Sequence, residues 1–149
     1  MTLFRAEHRC PLPPAEAWRR VTDWPRHGAW VPLTRITTEP SGPTAPGTLV
    51  VARTGLGRLA FDDPMEVVRW EAPVGGHSGH CRLVKRGTRV LGWAEIEVRA
   101  VPGGALVSWR EDARVRGLPR LLDAPTAWAG RLVFGRVLRR LLAAPAGDR

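Results

Sequence analysis

Residues 11–36, PLPPAEAWRRVTDWPRHGAWVPLTRI, place short helix signals between one strand-like segment and a long run of others. That order constrains the fold more than any other feature. Residues 2–10 alternate loosely and carry no turn signal until Pro11, the pattern of a first strand. Pro13 and Pro14 then open PAEAWRRVT, where proline's missing N–H would be unpaired anyway. Ala17, Trp18, Val21 and Thr22 fall at helical spacing and give this helix one buried face. Pro25 ends it or starts a second short helix, closed by Gly28 and Pro32. Three tryptophans, Trp18, Trp24 and Trp30, recur here at a spacing of six. A helical corner inserted after the first strand points to an α+β fold around an apolar cavity.

From Leu33 to Arg116 turn signals alternate with strand signals, leaving strands near 33–39, 48–54, 58–71, 80–86, 89–101 and 105–115. Pro64 predicts a bulge or bend in the fourth strand of the whole chain. Taking Gly103-Gly104 as a two-residue turn, Pro102 faces Ala105, Val98 faces Trp109, Ile96 faces Glu111 and Glu97 faces Arg110. One face of this last hairpin is then apolar except for Glu111, and a Glu–Arg pair crosses the other. The chain closes with a long helix, Asp123 as its N-cap and Pro125 just inside. Its apolar arc comprises Trp128, Leu132, Val133, Val137, Leu138, Leu141 and Leu142, with Arg131, Arg136, Arg139 and Arg140 mostly elsewhere.

The 149 residues fit one domain, large enough to bury a core without disulfide or metal. No apolar run approaches a membrane span, and the N-terminus lacks a signal-peptide core, so the expected location is cytoplasmic. Cys10 and Cys81 read as buried free thiols. The net charge of +9 invites a nucleic-acid reading, yet all but one of the 23 basic residues are arginines, Lys85 being the exception. With abundant alanine, glycine and proline, this is the composition of a G+C-rich, actinobacterial-type genome. The arginines are scattered, so no nucleic-acid partner is expected.

Pro14-Ala15-Glu16-Ala17-Trp18, Val21-Thr22-Asp23, Trp30-Val31-Pro32, Met65-Glu66-Val67-Val68, Trp70-Glu71-Ala72-Pro73 and Gly103-Gly104-Ala105-Leu106-Val107-Ser108-Trp109 occur in an order that resembles the START-like (SRPBCC) superfamily of polyketide cyclase/dehydrase-like proteins. The match spans nearly the whole chain. It implies a helix-grip fold: a seven-stranded curved antiparallel sheet, two short helices after strand 1, and a long C-terminal helix closing a deep apolar cavity. Relatives hold lipids, polyketides, hormones or other apolar molecules there. No common set of catalytic residues comes with the resemblance.

On this frame the candidate cavity residues are Trp30, Arg53, Phe61, Met65, His80, Val98, Trp109, Glu111, Trp128 and Leu132. Glu111, Arg53 and His80 are the candidates for acid/base chemistry. Glu111 sits among apolar neighbours, where its charged form is disfavoured; the alternatives are an ion pair with a cavity arginine such as Arg53 and a position at the wet mouth of the barrel. Arg53 shares strand parity with Leu49 and Val51 and, if these face inward, could grip an enolate or carboxylate; placement at the strand end, in solvent, is the equal alternative. His77 and His80 fall short of a metal site, and no cofactor is expected. Asp62 and Asp63, before Pro64, read as a turn. The expected function is binding of a small hydrophobic, aromatic or polyketide-like molecule by a monomer or homodimer. The alternatives are a cyclase or dehydratase acting on such a molecule, and an interaction module using the arginine-rich end of the last helix.

Overall fold

The computed structural model describes residues 3–31, 33–117 and 119–143. Strand β1 (Leu3–Cys10) leads through two helices, α1 (Pro14–Val21) and α2 (Trp24–Trp30), into β2 (Thr34–Glu39) and β3 (Leu49–Thr54). The strands β4 (Phe61–Glu71), β5 (Gly79–Lys85), β6 (Val90–Val101) and β7 (Gly104–Val115) follow, and α3 (Asp123–Ala143) comes last. All seven strands pair antiparallel in the order β1-β7-β6-β5-β4-β3-β2. The first strand therefore returns beside the last, and the helices lie on one face of the curved sheet. This is the helix-grip architecture that the order of segments implied.

Pro13 caps α1 with Pro14 at its first position, and Ala17, Trp18 and Val21 are buried. One end of the interior is filled by Trp18 against Trp70, ring centroids 4.9 Å apart. A bulge between Val67 and Arg69 brings this about. The extra residue resets the in-out alternation, so Val67 and Trp70, an odd number apart, both join the core. The bulge is therefore not at Pro64, which pairs in register with Val51. Pro64 precedes the β4–β5 ladder, which opens at Met65↔Lys85, and its carbonyl accepts the Arg86 N–H at 2.8 Å. Proline has no N–H to return along that edge, so the regular ladder begins one residue later.

The β6–β7 hairpin closes on Val101↔Gly104, so the turn is Pro102-Gly103 and not Gly103-Gly104. Proline suits the first central position, and Gly103 takes a positive φ of 84° at the second. Gly104 serves another purpose: a Cβ there would lie 1.9 Å from the Cys10 carbonyl oxygen, so only glycine lets the end of β1 pass. The register moves by two, to Val98↔Val107, Ile96↔Trp109, Ala94↔Glu111 and Glu95↔Arg110. An even shift leaves every side chain on its expected face. Cys10 and Cys81 are buried free thiols, and burial pushes the Cys81 thiol up to about 12.

Helix α3 lies along β1. Gly130 brings it close, since a Cβ would meet the Phe4 ring at 2.8 Å. Phe134 stacks on Phe4 one turn later, and Val137, Leu138, Leu141 and Leu142 are buried beyond it. The helix is thus rotated from its expected arc, and Trp128 (61% exposed) and Leu132 (53%) face outward. No helix among the described residues is long and apolar enough to cross a membrane.

Candidate functional site: a chamber with a buried ion cluster

The end of the interior opposite Trp18 holds a chamber of about 180 Å³. Alternation along each strand selects its wall: Ile36 from β2, Val50, Ala52 and Thr54 from β3, Asp63 and Met65 from β4, Leu83 and Lys85 from β5, and Trp109 and Glu111 from β7. Trp24, His27 and Val31 close it from α2 and the residue after it, and Phe134 closes it from α3. Four aromatic rings run in sequence, Trp24 to His27 (5.6 Å between centroids), His27 to Trp109 (5.3 Å) and Trp109 to Phe134 (4.8 Å, stacked). The His27 ring is buried, and its Nε2–H donates to the Val21 carbonyl at 2.6 Å. Burial lowers the His27 pKa, and that hydrogen bond only partly opposes the shift, so the ring is neutral.

Three charged side chains converge on this apolar space. Lys85 Nζ donates to Asp63 Oδ2 at 2.7 Å and stands 3.7 Å from Glu111 Oε2. Asp63 lies on the strand next to Lys85, but Glu111 is two strands away, across β6. The contact is possible because β6 presents only the Ala94 methyl between Leu83 and Glu111, with Gly92 two residues on. The Trp109 indole N–H points to Glu111 Oε1 at 3.4 Å. Burial raises the Glu111 pKa, Lys85 pulls it back, and Asp63 pushes it up again. Burial acts against the Lys85 charge, but Glu111 and Asp63 together outweigh it and hold that pKa above its ordinary value. Lys85 is therefore a fixed ammonium rather than a nucleophile, while Glu111 is a carboxyl whose proton is retained more readily than usual.

The Thr34 and Thr54 hydroxyls, hydrogen-bonded 3.1 Å apart, also stand on the chamber wall. Val31 and Thr34 also line an outer groove of about 550 Å³ that continues past Leu33, Leu56 and Arg136. Leu33 and Leu56 are exposed on its rim.

The sequence profile of the family described as polyketide cyclase / dehydrase and lipid transport matches residues 1–144. The chain belongs to this family. Solved structures similar to it include TTHA0849 from Thermus thermophilus, at 12% identity and TM-score 0.64, over 97% of this chain and 99% of that one. Ara h 8.0201 is similar at 15% identity and TM-score 0.63, over 95% and 98%. The di-domain ARO/CYC StfQ from the steffimycin biosynthetic pathway matches at 11% identity and TM-score 0.62, over 95% of this chain and 50% of StfQ. At such identities the likeness is one of fold. No curated protein matches the chain significantly.

In this polyketide cyclase/dehydrase-family chain, Met65, Trp109 and Glu111 lie on the chamber wall, but several other candidate residues do not. Arg53 faces outward and pairs with Asp62 at 3.1 Å. Its strand, LVVART, is apolar on both faces near its start; pairing of Val50 with Met65 and Ala52 with Asp63 decides which face is inner. His80 also faces outward, because Cys81, Leu83 and Lys85 take the inner positions of β5. It lines an outer groove beside a cross-strand row of Arg69, Arg82, Glu95, Arg110 and Arg5. Every arginine of that row is already held by a carboxylate, through Glu71, Glu95 or Glu7. Val98 is fully buried in the core but does not line the chamber, and neither does Phe61. Trp128 and Leu132 are on the outer face of α3. Trp30 ends α2, and its side chain lies outside the described residues.

The wall residues that escaped the sequence reading include Lys85, Asp63, His27 and Phe134. The first two left a signal. Counting back in twos from Val67 and Met65 puts Asp63 inside, and counting on from Cys81 and Leu83 does the same for Lys85. Asp63 is thus a strand residue rather than a turn residue, and Lys85 takes the ion-pair role expected of Arg53.

Proposed function

We propose that this protein binds a small, predominantly apolar molecule of about one ring in the chamber, its polar end against Asp63, Lys85 and Glu111. The supporting observation is the chamber itself: aromatic and aliphatic walls with one cluster of ionisable groups, the usual composition of a small-molecule site. Its volume of about 180 Å³ sets the scale. An apolar cavity of about 150 Å³ holds benzene, whereas drug-sized ligands occupy roughly 300–1,000 Å³. One ring with short substituents matches the volume of the chamber as it stands.

The test is mass spectrometry of what copurifies with the protein, joined to titration with single-ring aromatics followed by tryptophan fluorescence. Trp24 and Trp109 line the chamber and report on its filling. A bound single-ring compound, or saturable quenching that Met65→Trp abolishes, is the expected result. Quenching that Met65→Trp leaves intact would place binding elsewhere and overturn the reading.

Glu111 favours an enzymatic second reading. Its raised pKa suits proton transfer to or from a bound enol or carbonyl, with Lys85 stabilising negative charge on oxygen. StfQ, a fold neighbour, carries the description ARO/CYC, which is compatible with this reading. A Glu111→Gln variant that keeps affinity for the copurified molecule but no longer converts it is the expected outcome. Conversion at the parent rate removes Glu111 as the acid/base.

A further inference from the structure

We infer that the molecule held in the chamber presents a neutral hydroxyl to Asp63, so that its class is phenolic and not carboxylic. This deepens the ligand reading above and rests on it. Asp63 Oδ1 is buried and accepts no hydrogen bond from the described residues, while Oδ2 receives the Lys85 ammonium. A buried carboxylate oxygen without a donor is a strong and unsatisfied acceptor, and it belongs to a side chain lining the chamber. A ligand O–H fills that need.

The charges around the chamber exclude the other polar groups. Asp63 and Glu111 are two carboxyls sharing one ammonium, Lys85. A ligand carboxylate would become a third acid around a single cation, with no donor for Asp63 Oδ1. A ligand ammonium would enter beside Lys85, whose charge is firmly held. A phenol meets neither obstacle. Its hydroxyl donates to Asp63, its oxygen can accept from the protonated side of the cluster, and its ring meets Trp109, Phe134 and Met65. Among the described residues no arginine lines the chamber: Arg53, the sequence's candidate for gripping a carboxylate, faces out.

Three para-substituted toluenes test this at pH 7: p-cresol, its isostere p-xylene, and p-toluate, each titrated against the intact protein by tryptophan fluorescence. A hydrogen bond to a charged acceptor predicts that p-cresol binds about ten- to a hundredfold more tightly than p-xylene, with p-toluate weaker than both. Asp63→Leu should abolish the p-cresol advantage while retaining p-xylene. Should that variant not fold, Asp63→Asn replaces the anion with a neutral amide and should both shrink the advantage and admit p-toluate. Binding of p-xylene as tight as p-cresol, or of p-toluate above either, overturns the phenolic class while leaving the chamber a ligand site. Failure of all three probes overturns the chamber reading and this inference with it.

Discussion

Substituting Lys85 by methionine keeps a long side chain of similar volume while removing the cation between Asp63 and Glu111. The Lys85 side chain is 2% exposed, Glu111 9% and Asp63 15%, so solvent screens the cluster little. At an effective dielectric near 20, an ion pair at the observed 2.7 or 3.7 Å attracts by about 4–6 kcal/mol. Desolvation offsets several kcal/mol for each ion, but that penalty on the acids remains once the lysine is gone. The expected loss of stability at pH 7 is therefore about 3–5 kcal/mol. Its pH dependence is the sharper signature. A Glu111 pKa raised above 4.5 contributes stability that is fully present below pH 4.5 and lost as pH rises through the folded-state value. Lys85 restrains that rise, so in Lys85→Met the folded-state pKa climbs further and the loss extends to higher pH. Urea unfolding of parent and variant from pH 4 to 7 should show a stability difference that widens with pH, and Glu111→Gln in the variant background should restore part of it. A difference under about 1 kcal/mol at pH 7, or one independent of pH, would refute the buried cluster.

Phe134→Ala removes the stacks on Trp109 and Phe4 and should cost about 3 kcal/mol in chemical denaturation; the enlarged chamber should also admit two-ring ligands that the parent rejects. His27, its pKa lowered by burial, contributes stability that is present above pH 6.5 and lost as pH falls through its folded-state value. The thermal midpoint should fall over that range, and His27→Phe should flatten the fall; an unchanged slope assigns the acid sensitivity to another group. Gly104→Ala should destabilise more than Gly103→Ala, because the first drives a methyl into the Cys10 carbonyl whereas the second meets only the strain of a positive φ, about 1–2 kcal/mol. Equal effects in calorimetry would contradict the close approach of β1.

Much of the architecture was legible along the chain because it rests on local signals. Pro13-Pro14 and the face of Ala17, Trp18 and Val21 specify α1, and the glycine and proline clusters mark the ends of strands. The inward parity of β7 followed from Ala105, Val107 and Trp109, and it survived an error of two in the register because side-chain direction repeats every two residues. Glu111 was therefore placed correctly on the inner face from alternation alone.

The other features required the third dimension. On β3, Leu49, Val50, Val51 and Ala52 suit either face, so only pairing with β4 turned Arg53 out. On α3 the apolar residues span more of the circumference than the sheet can cover. Contact between Gly130 and Phe4 chose the rotation, which packs Phe134 against the core and exposes Trp128 and Leu132. The cluster joins β4, β5 and β7, and the one residue between Leu83 and Glu111 is small. Alternation along β7 placed Glu111 inward from the sequence, whereas Asp63, read there as a turn residue, and Lys85 were seen to point inward only in the structure. That they meet was decided by the sheet, because only strand order and register bring residues 63, 85 and 111 within reach of one another across Ala94.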